Sequence, residues 1–164
     1  MKVFSIYQSP IGAIYIISEN EKVVSISLGE EDFNRSLQAE EIRHDQNNDF
    51  LTLVMEQFEE YFSGQRKQFD LPIEQKGTSF QQSVWNVLKN IPFGETLSYQ
   101  EVANLINNPK AVRAIGQANK ANQLPIIIPC HRVIGKNQSL TGYAGTRTDI
   151  KERLLTLEGA GFKK

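Results

Sequence analysis

The sequence predicts an α+β protein in two parts: an N-terminal antiparallel sheet with a helix, then a mainly helical part carrying a candidate helix-turn-helix. Three observations predict it. Residues 3–28 alternate β-branched and aromatic stretches with turn signals. From residue 79 onward, apolar residues recur at helical spacing. Charge also changes sign along the chain. Residues 1–78 hold 7 Lys and Arg against 14 Asp and Glu, net −7, and residues 79–164 hold 11 against 5, net +6. The net −1 of the whole 164-residue chain hides this split and excludes only a bulk polycation. A basic half joined to an acidic half points to a polyanion met by the C-terminal part alone. The alternative is chance clustering of solvated charges. Lys76-Gly77-Thr78 reads as the linker, giving a supporting part over 1–76 and a second part over 77–164.

The elements follow in order. Val3 to Tyr7 is the first strand, Ser9-Pro10-Ile11-Gly12 turns it, and Ala13 to Ser18 is the second. Glu19 to Lys22 turns again into Val23 to Leu28, completing a meander. Residues 30–49 are polar and ambiguous, fitting a short helix and then a loop. Leu51, Val54, Met55, Phe58, Tyr61 and Phe62 mark an amphipathic helix stopped by Ser63-Gly64, its aromatic stripe turned to the meander. Phe80, Val84, Val87, Leu88 and Ile91 form the next apolar face, with Ser79 and Gln82 as a capping box. Ser98 and Glu101 form a second capping box, launching a helix with Val102, Leu105 and Ile106 inward. Asn107-Asn108-Pro109 is a tight turn, and Pro109 stands where a new helix begins, with Val112 and Ile115 inward. Two short helices joined so compactly are a helix-turn-helix or an ordinary helical hairpin. The second helix carries Lys110, Arg113 and Lys120 among small residues, Ala111, Ala114, Gly116 and Ala118, so its backbone can approach a surface.

Pro125 to Pro129 reads as a buried extended segment leading into Cys130-His131-Arg132-Val133. A lone cysteine is most often a small buried hydrophobe, and it excludes an internal disulfide. Here His and Arg follow it. A reactive thiolate needs a base and a positive field, because apolar burial alone would hold the proton on sulfur. In an extended segment Cys130 and His131 point to opposite faces, so activation requires a bend or a bridging water. His131 requires a carboxylate to fix its tautomer, and acids are scarce in this half. Glu158, at the end of the helix from Asp149 to Leu157 and before Gly159, is the best placed. One Cys and two distant His residues give no zinc cluster, so no metal is expected. No phosphate-binding glycine loop or nucleotide fingerprint is present, so no cofactor is expected. The apolar runs are too short to span a bilayer, and no export signal opens the chain, which predicts a cytoplasmic protein without a membrane partner.

These residues resemble a known family, the O6-alkylguanine-DNA alkyltransferases, or methylated-DNA–protein-cysteine methyltransferases. Pro129 to Val133 is similar to its active-site signature. Gly77 to Gln81 with Val84-Trp85, Ile91 to Tyr99, Asn108 to Gly116, Asn119 to Leu124, Thr141 to Gly145 and Lys151 to Glu158 resemble its other motifs in the same order. In the N-terminal part the likeness rests mainly on Ser9-Pro10-Ile11-Gly12. The resemblance implies a ribonuclease H-like N-terminal fold and a winged-helix-like C-terminal one. It implies a monomer that binds duplex DNA, flips out an O6-alkylated guanine and takes the alkyl group onto Cys130 once, stoichiometrically. A water would link Cys130 to His131, Glu158 would orient the imidazole, and Tyr99 would protonate guanine N3. Asn122 would orient the active-site segment. Arg113 would fill the vacated stack, and Lys110, Ala111, Ala114, Gly116 and Arg132 would meet DNA, the second helix lying in the minor groove. Val133, Tyr143, Ala144 and Gly145 would line the pocket. Ala144 stands where some relatives have Ser, which implies room for larger O6-alkyl groups and for O4-alkylthymine. The rival readings are a non-catalytic lesion-binding module, which Cys130 argues against, a transcription regulator, which leaves Cys-His-Arg unexplained, and a Cys-dependent hydrolase, whose base should be distant in sequence.

Overall fold

A computed structural model describes residues 1–37, 40–135 and 148–162. The chain divides into two compact units, Met1–Gln75 and Lys76–Lys164.

The first unit is built on a meander: β1 (Val3–Ser9), β2 (Gly12–Glu19) and β3 (Lys22–Leu28) pair antiparallel. Gly12, at φ 108°, takes the positive φ of the first hairpin, and the Ser9 hydroxyl closes the turn by donating to Gly12 O at 2.7 Å. The second hairpin turns on Asn20 and Glu21, both left-handed, at φ 53° and 56°. Residues 30–49 hold more order than their polarity suggests. They form α1 (Glu30–Leu37) and β4 (Arg43–His44), which joins β1 in parallel to give the order β3-β2-β1-β4. A two-residue strand lies below any periodicity in the sequence. α2 (Asp49–Phe62) is capped by Asn48, whose side chain accepts from Leu51 N. The helices cover opposite faces of the sheet. Phe33 of α1 stacks on Tyr15 at 4.4 Å in a cluster with Ile17. Tyr7, opposite Ile14 on the other face, meets Phe58 of α2 at 6.2 Å. Double coverage explains why Ile14 to Ser18 is an unbroken buried run.

The second unit starts at α3 (Ser79–Lys89). Its capping box is Thr78 with Gln81, one residue before the expected Ser79 and Gln82. β5 (Leu97–Ser98) leads into α4 (Tyr99–Leu105), capped by Ser98 and Glu101. α5 (Val112–Lys120) begins three residues after Pro109, because Asn107 at φ 61° and the turn after it use those residues to reverse the chain. Two apolar residues expected inside lie outside. Leu105 is 60% exposed and Val112 36%, while Val102, Ala103, Ile115 and Ala118 form the buried contact. The buried sides of the two helices are set by Val102 with Ala103 and by Ile115 with Ala118, which turns Leu105 and Val112 outward. α3 is tied to α5 by Trp85, whose indole N–H donates to Ala118 O at 2.9 Å. A single 3-10 turn, Cys130–Arg132, precedes β6 (Val133–Ile134), which pairs in parallel with β5. α6 (Thr148–Glu158) closes the unit against the 3-10 turn. No helix among the described residues is long and apolar enough to cross a membrane.

Candidate active site

The site forms where the 3-10 turn meets the end of α6. Residues 125–129 are a buried turn rather than the expected extended segment: Ile128 N donates back to Leu124 O at 2.8 Å, and Ile126 takes φ 74°. A β-branched residue there is strained by about 1–3 kcal/mol. Asn122 holds the turn closed, its Nδ2 donating to Ile128 O at 2.8 Å and its Oδ1 accepting from Leu124 N at 3.0 Å. Asn119, on the inner face of α5, donates to Cys130 O at 3.3 Å. Cys130 itself is buried, 4% exposed. The tight turn that carries it removes the strand alternation that would have pointed Cys130 and His131 to opposite faces.

His131 is fully buried and shares a hydrogen bond of 2.7 Å between Nε2 and Glu158 Oε2. Arg132 donates Nε to Glu158 Oε1 at 2.8 Å and Nη2 to Oε2 at 3.0 Å. Burial pushes the Glu158 carboxyl up. The charge of His131 and the hydrogen bonds from His131 and Arg132 outweigh burial and hold it at about 2. His131 lies below its ordinary value because burial, seconded by the charges of Arg132 and Lys151, outweighs the pull of Glu158. The imidazole is therefore neutral near pH 7 and competent as a base. With Nε2 facing Glu158, Nδ1 lies on the other side of the ring.

A fourth group joins them. Lys151 is fully buried on α6 and donates to Val133 O at 2.6 Å. Burial lowers it to about 8, partly offset by attraction to the sulfur of Cys130. It supplies the positive field that the sequence reading required without naming a source. Its signal was in the helix: Lys151, Leu155 and Glu158 share one face at i, i+4 and i+7. Asn119 was missed in the same way, as a polar residue on the apolar face of α5.

Other expected residues fall into three groups. The β5–β6 pairing sets Ser98 opposite Ile134, which brings half-buried Tyr99, at the start of α4, beside the strand that leaves the 3-10 turn. Arg113, Lys110 and Ala114 are exposed around α5, and a Cβ at Gly116 would meet no atom within 4 Å. Among the described residues nothing requires glycine there. Three of the expected residues are buried. Arg132 is 6% exposed, and its guanidinium bonds Glu158 and Ile91 O. Ala111 is 9% exposed and turned inward, where it begins α5. Val133 packs its side chain in the core, fully buried. Tyr143, Ala144 and Gly145 lie outside the described residues. Among the described residues no group of three His, Cys, Asp or Glu could hold a metal ion.

Comparison with known proteins bears on both units. Residues 2–75 match the model of the 6-O-methylguanine DNA methyltransferase ribonuclease-like domain, and residues 79–160 that of the same family's DNA-binding domain. The constitutive methylated-DNA–protein-cysteine methyltransferase of Bacillus subtilis is 46% identical, covering 100% of this chain and 99% of its own length. The methylated-DNA–protein-cysteine methyltransferase of Methanosarcina acetivorans is 45% identical over 96% of this chain and 98% of its own. A crystal structure of the Mycobacterium tuberculosis OGT in complex with DNA superposes with a TM-score of 0.84 at 38% identity, covering 96% of this chain and 92% of that one.

Proposed function

This chain belongs to the 6-O-methylguanine DNA methyltransferases, and from that premise we propose that it repairs DNA by moving an alkyl group from O6 of guanine to Cys130. The observation that carries the reading is the buried line from the Cys130 turn through His131 to Glu158, with Lys151 behind it. The Cys130 thiol gives its proton to His131 Nδ1 through a bridging water. The imidazolium is stabilised by Glu158, and the thiolate by the charge of Lys151. Sulfur attacks the alkyl carbon, a C–S bond forms and the C–O6 bond breaks. The electron pair leaves with the base, which Tyr99 protonates at N3. The proton taken from the thiol then replaces the one Tyr99 gave, so overall the protein exchanges a thiol hydrogen for an alkyl group. The thioether has no leaving group for thiol exchange, so each molecule turns over once.

The target atom is held inside a base pair, so the base must leave the stack. Exposed Arg113 and Lys110, beside Ala114 and the open Gly116, favour close approach of α5 to a narrow groove, with Arg113 filling the gap. The reaction needs one monomer, no metal and no cofactor, and a cytoplasmic setting suits a free thiol.

The test is intact-mass spectrometry after incubation with a duplex containing O6-methylguanine. A gain of one methyl on Cys130 is expected, with Cys130→Ala binding the duplex but gaining no mass. Tight binding without a mass gain in the unaltered protein would move the reading to a lesion-binding module.

A further inference from the structure

The inward course of Arg132 leaves a buried cation that the relay does not use. The guanidinium engages three segments at once. It grips both oxygens of Glu158 at the end of α6, at 2.8 and 3.0 Å. Its Nη1 donates to Ile91 O, beyond the end of α3, at 2.6 Å, and its carbon lies 5.8 Å from the centre of the Phe93 ring. His131 and Arg132, consecutive in sequence, thus share one carboxylate, and Oε2 accepts from both.

Glu158 stands where an anion is least favoured. It is 5% exposed and is the last residue of α6, at the negative end of the helix dipole. Among the described residues, the charges that act on it are those of His131 and Arg132 on the 3-10 turn, while Lys151 of α6 acts on His131 and faces the Cys130 sulfur. His131 is neutral before it accepts a proton, and Lys151 is committed to Val133 O. Arg132 provides a permanent positive charge bonded to both oxygens of the carboxylate. Its planar fork also fixes the rotation of that carboxylate, which an ammonium would not do.

We infer that Arg132 is the positioning residue of the relay: its guanidinium holds Glu158 ionised and in one orientation, so that Oε2 faces His131 when the imidazole takes the Cys130 proton. The inference rests on the proposed relay and deepens it. It also separates Arg132 from the DNA contacts, since both its forked face and its remaining terminal nitrogen point inward.

The experiment compares the full-length protein with Arg132→Met and Arg132→Lys. Three quantities are read: single-turnover methyl transfer from an O6-methylguanine duplex between pH 5 and 9, affinity for an undamaged duplex, and the pH dependence of Cys130 alkylation by iodoacetamide without DNA. Arg132→Met should slow transfer at pH 7 at least 30-fold and move the acid limb of both pH profiles up by a unit or more, because Glu158 and His131 together then take up a proton more readily. Duplex affinity should stay within twofold. Arg132→Lys keeps the charge and loses the fork, so it should hold the acid limb in place while transfer falls about tenfold. Parallel pH profiles for Arg132→Met and the unaltered protein would overturn the inference, as would duplex affinity falling in step with rate. If Arg132→Met does not fold, Arg132→Lys decides, and an unchanged transfer rate there overturns the role of the fork. If the unaltered protein gains no methyl, the proposed substrate is wrong, and the iodoacetamide profiles still decide whether Arg132 governs the relay.

Discussion

The two units bury different kinds of polar group. In the first, the buried polar residues among those described are neutral, Ser5, Ser18, Ser27 and Gln57, and the ion pairs, such as Lys2–Glu40 at 3.0 Å and Arg66–Glu60 at 2.9 Å, stay in contact with solvent. In the second, His131, Arg132, Lys151 and Glu158 are all buried, with one carboxylate serving two partners. Surface pairs contribute little to stability, whereas a charge taken out of water is costly unless fully partnered. A unit concerned only with folding has no reason to bury four ionisable groups, and apolar residues would serve it as well. Such a concentration beside the only cysteine therefore marks the working part of the molecule. The acidic unit, with its sheet covered on both faces, shows no comparable cluster among its described residues.

The sharpest way to break this contrast is Glu158→Ala. It leaves Arg132 buried without its carboxylate, and should destabilise by about 3–5 kcal/mol in urea unfolding and abolish transfer. A loss below 1 kcal/mol would mean that the buried cluster behaves like a surface pair. Acid titration comes next. The Glu158 carboxyl sits at about 2 in the folded protein against an ordinary 4.5. Its contribution is fully present above pH 4.5 and is lost as pH falls toward 2, because the unfolded chain then binds the proton more readily. Thermal melts from pH 5 to 2 should show this decline, and Glu158→Gln should flatten it. Lys151 works in the opposite sense. Burial lowers it to about 8, so the unfolded chain holds the extra proton between pH 8 and 10.5 and stability rises with pH there. Lys151→Met should remove that rise in urea midpoints.

Gly116→Leu tests the other face of the second unit. A Cβ there meets no described atom within 4 Å, so stability in urea should rise by the helix-propensity gain of about 0.5–1 kcal/mol. Duplex affinity should fall at least tenfold because the helix is held off the groove. Retained affinity would remove α5 from the interface. The smallest effect is expected from Glu40→Ala in the first unit, under about 1 kcal/mol, since its pair with Lys2 is open to solvent.

The sequence alone carried the meander, the long amphipathic helix and the Ser98–Glu101 cap, because those depend on local periodicity and turn chemistry. It also isolated Cys130, His131 and Glu158, through scarcity of acids and through likeness to a family. It could not resolve β4, a two-residue strand defined only by its partner β1. It turned Leu105 and Val112 inward because a helical repeat does not say which residues a neighbouring short helix leaves room for. It read Pro125 to Pro129 as extended, whereas a left-handed Ile126 and the bonds of Asn122 curl it. Likeness to the family set Arg132 against DNA, and no local pattern announced the inward bonds of its guanidinium to Glu158 and Ile91 O.

Spacing along the chain thus determined the fold class, and residue chemistry with likeness to a family singled out Cys130 and His131 as the candidate nucleophile and base. Tertiary structure alone decided the direction of each charged side chain. Arg132 and Glu158 are 26 residues apart and meet only once α6 closes on the 3-10 turn. The energy of a buried charge depends on that closure, and local sequence does not encode it.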